Sequence, residues 1–337
     1  DTRQSVKDLL YYQQQDVMGL VGQWNTHTYS ATNRSRSQVG SLARAEGKTI
    51  WMDEVGAGGK GLTGNLNLCQ KFFEDMHYIL PAAWIDWQFV EENNDQWCLA
   101  RGSFADENSI RRVPNYYVRQ QVTRFIGQGY TMVTSLSRKS LAALNSSADT
   151  LVVALLNNSS RTALHRIHLP GVNVNGETLA YRTEEGRYMQ PVELPGLLKG
   201  SALHITLPPA SITTLLLPIE RLTASADQSV SEGTYMIVPQ SNCEMALTAA
   251  AGKIRLAQAD SHDKHQLWRV SQTGGRFTLT NGAGETITDK GEYLLSAEKG
   301  KADGQAFGIE PVEDYFHKIT NADGKAFDLQ NEGLLEG

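Results

Sequence analysis

Cysteine is scarce in this sequence: Cys69, Cys98 and Cys243 are the three examples in 337 residues. An odd number gives no complete disulfide framework, and their spacing does not match that of a metal-binding motif. We therefore expect buried thiols. The rest of the sequence has no phosphate-binding glycine loop, no metal-ligand cluster and no cofactor motif, so we expect neither a metal nor a cofactor.

Long apolar runs and clusters of basic residues are missing as well. No stretch approaches the roughly 20 apolar residues of a membrane-spanning helix, so we expect no membrane partner. The 37 Asp and Glu residues outnumber the 31 Lys and Arg residues, which gives a net charge of −6 and makes nucleic acid an unexpected partner. The chain begins at Asp1, within a helical pattern and without a signal peptide, and we expect it to be cut at both ends.

The composition is typical of a globular protein, with 40% hydrophobic and 20% charged residues. Residues 1–132 alternate strand and helix patterns, which predicts βα units and a parallel sheet. Three such units would complete an eight-stranded barrel, so this part is predicted to be the C-terminal part of a (β/α)8 TIM barrel. The helices are predicted at 6–12, 34–46, 65–79 and 116–126.

The remainder of the chain is predicted to be all-β. Residues 133–220 contain short strands about ten residues apart, which is typical of an antiparallel β-sandwich. Residues 221–232 are rich in Ala, Ser and Asp and are predicted to be a linker. Residues 233–337 repeat with a period of about 40, as in Gln266-Leu267-Trp268 and its echo at 305–307, which predicts an incomplete β-trefoil.

The segment Lys48–Gly56 is the one around which the N-terminal part is organised. Its apolar run ends in two acids and opens into a glycine-rich loop, which is how a parallel barrel presents a catalytic carboxylate. Strict alternation places Ile50 and Met52 on the face of Glu54, and we expect that face to look into the barrel. A surface acid beside a turn is the alternative that this segment alone leaves open.

Five segments within residues 1–218 resemble family 30 glycoside hydrolases of clan A in order and spacing: Trp24–Tyr29, Trp51–Gly56, Trp84–Gln88, Tyr116–Tyr130 and Pro209–Thr214. The resemblance implies a retaining glycosidase in which Glu54 matches the nucleophile at the end of barrel strand seven. The acid/base residue is expected at the end of strand four, which would precede Asp1. The resemblance therefore implies that this chain alone is inactive.

The same resemblance gives expected roles to side chains near Glu54. Tyr29 is expected to donate a hydrogen bond to the nucleophile and His27 to face the sugar; the alternative is a half-buried pair that closes the barrel top. Trp87 is expected to stack on a sugar ring, with a core aromatic as the alternative. Further sugar contacts are expected at Trp24, Asn25 and Gln88.

Three neighbouring residues are expected to have supporting roles instead. Trp84 and Asp86 alternate to the opposite face of their strand from Trp87, so we expect them to be structural. Asp53 alternates away from the cavity and is expected to anchor the adjacent loop.

Residues 233–337 resemble ricin-type β-trefoil lectin modules, in which an Asp of each repeat often binds a sugar hydroxyl. The matching positions are Thr248 and Thr288 in the first two copies, and only Asp328 in the third copy fits. The Gln-x-Trp sequence is expected to hold the repeat core. A sugar is therefore a candidate ligand of this module, with a module that binds no sugar as the alternative.

Together, these patterns predict a retaining endo-glycoside hydrolase that acts on a β-linked polysaccharide or oligosaccharide, with β-1,6-galactan favoured. One alternative is a non-catalytic carbohydrate-binding protein with an inactive barrel and a lectin-like module. Another is a structural fragment, because part of a barrel leaves two sheet edges unpaired. A polysaccharide substrate implies a secreted, periplasmic or cell-surface protein.

Overall fold

The computed structural model describes residues 1–327 except for 57, 93, 134, 136, 170–171, 195–201, 222–229, 240–244, 261, 292–293, 299, 301–303 and 312–316. The chain divides into two compact units, Asp1–Ala224 and Ser225–Gly337. This division falls within the predicted linker 221–232, of which residues 222–229 lie outside the described part. Among the described helices, none has the length and apolarity needed to cross a bilayer.

The first unit begins with alternating helices and parallel strands, as predicted. The helices are α1 (Thr2–Gln14), α2 (Asn33–Ala45), α3 (Gly61–Tyr78) and α4 (Pro114–Thr123). The strands are β1 (Gln23–His27), β2 (Thr49–Val55) and β3 (Ala83–Asp86), and they pair in the order β1-β2-β3. Within the described residues, this parallel sheet has three strands, which is the number expected from the sequence.

Local sequence signals explain where the helices start. The Asp1 side chain accepts hydrogen bonds from two backbone N–H groups in the first turn of α1. Thr32 and Ser35 form a capping box at the start of α2, in which each side chain accepts from the other residue's backbone N–H. Pro114 opens α4, where its fixed φ angle suits the first helical position.

The helices bury one face of the parallel sheet. Ile50, Met52 and Val55 of β2 are at most 3% exposed and pack with Leu9 of α1 and Val39 of α2. After β3 the chain forms a small three-stranded sheet before α4. Its strands are β4 (Val90–Glu91), β5 (Ala100–Arg101) and β6 (Arg111–Arg112).

Antiparallel sheets make up the rest of the first unit. Their strands are β7 (Thr131–Val133), β8 (Ser140–Leu144), β9 (Thr150–Asn157), β10 (Ala163–His168), β11 (Val172–Val174), β12 (Leu179–Glu184), β13 (Arg187–Pro191), β14 (Ala202–Leu207) and β15 (Ser211–Arg221). The larger sheet has the order β13-β12-β15-β9-β8-β7, with β11 also on β15, and β10 pairs with β14.

Strand β9 is buried on both faces and joins the two halves of this unit. Val153 and Leu155 pack on one side with Ile205 of β14. Leu156 packs on the other side with Phe73 of α3 and Val118 of α4. The predicted boundary between residues 132 and 133 falls inside β7. Both sides belong to one compact unit, because residues on either side of the boundary share the buried cluster that contains Phe73, Val118 and Leu156.

The second unit is all-β in its described residues. Its strands are β16 (Gly233–Met236), β17 (Met245–Ala250), β18 (Lys253–Gln258), β19 (Leu267–Thr273), β20 (Arg276–Asn281), β21 (Glu285–Asp289), β22 (Leu294–Glu298), β23 (Gly308–Pro311) and β24 (His317–Thr320). One sheet has the order β16-β19-β20-β21-β22-β18-β17, and β23 pairs with β24.

The aromatic residues of the repeated Gln-x-aromatic sequence lie in the core of the second unit. Trp268 and Phe307 are both fully buried. The Gln266 amide donates to a backbone carbonyl at 2.9 Å, so this side chain supports the repeat. Thr248 and Thr288 are also buried, at 6% and 0% exposure, and Asp328 lies outside the described residues. The β-trefoil itself stays a prediction.

Candidate active site

A register shift in the parallel sheet determines where Glu54 points. Thr26 pairs with Met52, but the next residue, His27, pairs with Glu54, so β2 has one extra residue at this point. Such a bulge reverses the alternation of side chains along the strand. Glu54 therefore joins the open face beside His27, whereas Ile50 and Met52 are buried under the helices. The prediction that these two apolar residues share the face of Glu54 is wrong for this reason.

Tyr29 is the direct hydrogen-bond partner of Glu54. It lies two residues beyond the end of β1, and its hydroxyl donates to Oε1 of Glu54 at 2.9 Å. Partial burial, followed by the hydrogen bond to Glu54 and its negative charge, raises the pKa of Tyr29 to about 12. The phenol therefore stays protonated at neutral pH and acts as a donor. This is the contact expected from the sequence; its role in a reaction stays a prediction.

His27 lies between two carboxylates. Its Nε2 atom is 3.5 Å from Oδ1 of Asp53, and its Nδ1 atom is 3.8 Å from Oε1 of Glu54. The imidazole also meets the Tyr29 ring edge to face, with 6.2 Å between the ring centroids. Asp53, expected to point away from the cavity, thus contacts the same imidazole.

Trp87 is exposed at the end of the third strand. Its side chain is 45% exposed, which agrees with a sugar platform and not with a core aromatic. Its backbone N–H donates to the carbonyl of Val55 at 3.0 Å, so the end of β2 holds the Trp87 backbone. The Trp87–Gln88 peptide bond is cis. Gly56 packs directly under this backbone, where a side chain would overlap the Trp87 carbonyl oxygen.

Gln88 is held by the loop that follows it. Its Nε2 atom donates to Oε1 of Glu91 at 2.5 Å, and the indole N–H of Trp97 donates to the same oxygen at 3.2 Å. Gln88 is half-buried, so its amide is fixed near Trp87 and remains a candidate sugar contact.

The expectation for Trp24 is wrong. This side chain is 9% exposed, packs in the core under α1 and meets the Tyr12 ring edge to face at 5.6 Å. It lies three residues before His27 in β1, which is about 10 Å along the strand, and alternation turns it toward the helices. Asn25 lies on the open face of the same strand, is exposed and remains a candidate.

Trp84 and Asp86 contact buried partners, as expected for structural residues. Asp86 accepts two hydrogen bonds of 2.8 Å from the guanidinium of Arg119, and the indole N–H of Trp84 donates to Asp75 at 2.9 Å. Sequence reasoning did not single out Asp75. The signal was present, because an acid three residues after Phe72 falls on the apolar side of the predicted helix.

A strand-end carboxylate with a tyrosine donor beside it and an exposed tryptophan on the next strand is an arrangement suited to carbohydrate chemistry. In the part of the chain that the structure describes, no group of three or more His, Cys, Asp and Glu side chains is placed to hold a metal ion. The described side chains at this site are two carboxylates, an imidazole, a phenol hydroxyl and an exposed indole.

The chain resembles family 30 glycoside hydrolases and their relatives. A curated endo-β-1,6-galactanase from Hypocrea rufa is 29% identical over 141 residues, which are 41% of this chain and 28% of the galactanase. A family 30 subfamily 8 xylanase from Clostridium acetobutylicum superposes with a TM-score of 0.49 and 20% identity over 59% of this chain and 49% of its own. A family 30 endoxylanase from Clostridium papyrosolvens gives a TM-score of 0.45 and 16% identity over 60% of this chain and 50% of its own.

No protein-family model matches the chain. The chain spans 28% of the length of the galactanase and at most 50% of either xylanase. The similarity therefore concerns part of each relative.

Proposed function

We propose that this chain is part of a retaining endo-glycoside hydrolase that acts on a β-linked polysaccharide, with Glu54 as the nucleophile. The observation that carries the proposal is the 2.9 Å hydrogen bond from the Tyr29 hydroxyl to Oε1 of Glu54 at the end of a parallel strand. The donor fixes one oxygen of the carboxylate, which leaves the other oxygen oriented for attack. The galactanase similarity supports the hydrolase class.

The proposed reaction proceeds in two displacements. A Glu54 oxygen attacks the anomeric carbon, the bond from that carbon to the glycosidic oxygen breaks, and a separate acid protonates the departing oxygen. Water then attacks the glycosyl ester, the conjugate base of that acid takes its proton, and Glu54 leaves as a carboxylate. Tyr29 donates to Glu54 in the free enzyme and to the ester carbonyl in the intermediate. Two inversions retain the configuration of the sugar.

The proton donor is the second acid of this pair. Retaining enzymes place the two carboxyl groups about 5–5.5 Å apart. We assign the donor to a glutamate at the end of a further barrel strand, outside β1, β2 and β3. General acid catalysis typically contributes about 10²–10⁴-fold. The 337-residue chain by itself is therefore expected to be nearly inactive.

The proposed substrate is a β-linked polysaccharide or oligosaccharide, and β-1,6-galactan is favoured because the curated relative is named for that activity. Trp87 would stack on a sugar ring, with His27, Asn25 and Gln88 as polar contacts. Such a substrate implies a secreted, periplasmic or cell-surface protein. The second unit is proposed to be a lectin-like β-trefoil, with a sugar as its candidate ligand.

The test is Glu54→Ala in the complete gene product that carries this chain, assayed on β-1,6-galactan and other β-linked polysaccharides. Turnover should be lost, and added azide should give a glycosyl azide of inverted configuration. Glu46→Ala, at the end of α2, is the matched control and should keep wild-type turnover. An azide product of retained configuration would make Glu54 the acid/base instead, and wild-type turnover in Glu54→Ala would remove it from the reaction.

The same assays address the alternative of a non-catalytic carbohydrate-binding protein. Under that alternative, the wild-type gene product binds a polysaccharide in calorimetry but releases no reducing ends from any of those tested. That result would reject the proposed hydrolase.

A further inference from the structure

Asp75 is a fully buried carboxylate that joins three segments of the chain. It lies on α3 and is 0% exposed. Its oxygens accept hydrogen bonds from the Thr28 hydroxyl at 2.8 Å, from Nε of Arg36 at 2.6 Å and from the indole N–H of Trp84 at 2.9 Å. One side chain therefore contacts the loop after β1, the second helix and the third strand.

These contacts lie next to the residues of the candidate active site. Thr28 immediately precedes Tyr29, and Trp84 belongs to β3, three residues before Trp87. In the order β1-β2-β3, the strand that carries Glu54 lies between β1, whose following residue Thr28 bonds to Asp75, and β3, whose residue Trp84 bonds to Asp75. The carboxylate thus links the chain segments that flank Glu54.

A second residue of α3 holds the backbone of Tyr29 directly. The Lys71 ammonium group donates to the Tyr29 carbonyl oxygen at 3.1 Å. Lys71 lies one helical turn before Asp75, so both residues reach the same loop from one helix. Since the Thr28 side chain and the Tyr29 backbone are both held, the freedom that remains is rotation of the Tyr29 side chain.

Burial alone would not favour an aspartate at position 75. Burial raises the pKa of Asp75, because a desolvated carboxylate is unfavourable, and the positive charge of Arg36 acts in the opposite direction. Buried ion pairs often contribute no more stability than well-packed apolar side chains of similar size. What the carboxylate adds here is geometric, because directional hydrogen bonds fix where Thr28 and Trp84 lie.

We infer that Asp75 is a positioning residue of the candidate active site, which acts through Thr28 to hold the Tyr29 hydroxyl on Glu54. The inference rests on the proposed function, because it assumes that this hydrogen bond supports turnover. Lys71 assists by fixing the Tyr29 carbonyl. Asp75 itself is buried behind the strands and touches no substrate.

The test is Thr28→Val in the complete gene product, which removes one hydrogen bond to Asp75 and keeps the side-chain shape. A displacement of about 1 Å near a reacting group can cost about 100-fold, so we expect kcat to fall by about 10- to 100-fold. Thr28→Ser keeps the hydroxyl and should restore turnover. Thr26→Val is the matched control, because Thr26 is also buried, in β1, but its hydroxyl bonds to Ser5 at 2.9 Å and to the His27 carbonyl at 3.4 Å and not to Asp75.

A double-variant cycle with Tyr29→Phe separates positioning from general destabilisation. If Thr28 acts through the Tyr29 hydroxyl, Thr28→Val should have no further effect on kcat once that hydroxyl is absent. Multiplicative losses in the double variant would overturn the inference. Equal losses of kcat in Thr28→Val and Thr26→Val would also overturn it, because the effect would then follow stability alone.

One further variant, together with Tyr29→Phe and Glu54→Ala, distinguishes failure of the positioning role from failure of the proposed function. If Thr28→Val does not fold, Lys71→Met on the half-buried helix surface replaces it, and it should show the same dependence on Tyr29. If Tyr29→Phe and Glu54→Ala both turn over at the wild-type rate, the proposed function fails. If those two lose activity while Thr28 and Lys71 variants act independently of Tyr29, the positioning role alone fails.

Discussion

Replacement of Gly56 by alanine is expected to damage the candidate site through the backbone alone. Gly56 follows β2 directly and lies under the chain that carries Trp87. A methyl group built on Gly56 would overlap the carbonyl oxygen of Trp87 and lie 3.3 Å from its Cβ atom and 3.2 Å from the Cβ atom of Trp97. The nearest obstacle is backbone, so rotation of a side chain cannot relieve it.

The size of the effect follows from that overlap. Non-bonded heavy atoms pack best at about 3.5–4.0 Å from each other. To restore such a distance from the new methyl group, the Trp87 carbonyl must move by on the order of 1 Å. Overpacking of this kind costs typically about 1–3 kcal/mol. For a unit of this size, each kcal/mol lost from the free energy of unfolding lowers the melting temperature by about 2–4 °C. The melting temperature should therefore fall by roughly 2–12 °C. A shift of Trp87 should also lower kcat/KM by about 10- to 100-fold.

Gly22→Ala is the matched control, because nothing lies within 4 Å of a methyl group built there. Calorimetry of both variants measures stability, and hydrolysis of a soluble β-linked oligosaccharide by the complete gene product measures turnover. Gly22→Ala should melt within a degree or two of the wild type. If Gly56→Ala matches Gly22→Ala in both assays, the end of β2 and Trp87 are not packed as described.

Two other predictions follow from ionisable groups. Tyr29 has a pKa of about 12 in the folded chain against an ordinary value of 10.0, so its contribution to stability is present below pH 10 and is lost as the pH rises toward 12. Tyr29→Phe should therefore make the free energy of unfolding less pH-dependent in that range, and an unchanged slope in denaturant titrations would contradict this. Asp86→Asn removes the negative charge and one of the two acceptor oxygens that face the buried Arg119 guanidinium, and should cost about 3–5 kcal/mol in urea unfolding. The pair Asp86→Leu and Arg119→Met should recover most of that loss, and a double variant as unstable as Asp86→Asn would refute the charge-pair explanation.

Reasoning from the sequence located the strand of Glu54 because its signal is local. An apolar run that ends in acids and opens into glycines indicates a strand and its exit regardless of what surrounds it. The same holds for Tyr29, whose position two residues beyond β1 brings its hydroxyl within 2.9 Å of Glu54. The second helix was predicted at 34–46 and lies at Asn33–Ala45, whereas the first and third helices start four residues earlier than predicted.

The errors come from features that depend on neighbours rather than on the segment itself. The bulge that turns Glu54 to the open face appears only in the pairing of β2 with β1, and simple alternation assigned Ile50 and Met52 to the wrong face. Trp24 belongs to a segment that resembles a sugar-binding one, yet it lies too early in its strand to reach the open end. The role of Asp75 depends on contacts far apart in sequence, which a local pattern does not contain.

The strand that is buried on both faces restricts how this chain could be altered by recombination. Leu156 of β9 packs against α3 and α4, where Phe73 and Val118 belong to the same buried cluster. If the antiparallel half were exchanged for that of a distant homologue, the helices would meet unfamiliar side chains and the strands above them would lose support. The two halves are therefore expected to be inherited together and to accumulate compensating substitutions across α3, α4 and β9. The second compact unit, whose apolar core is its own, is not subject to that constraint.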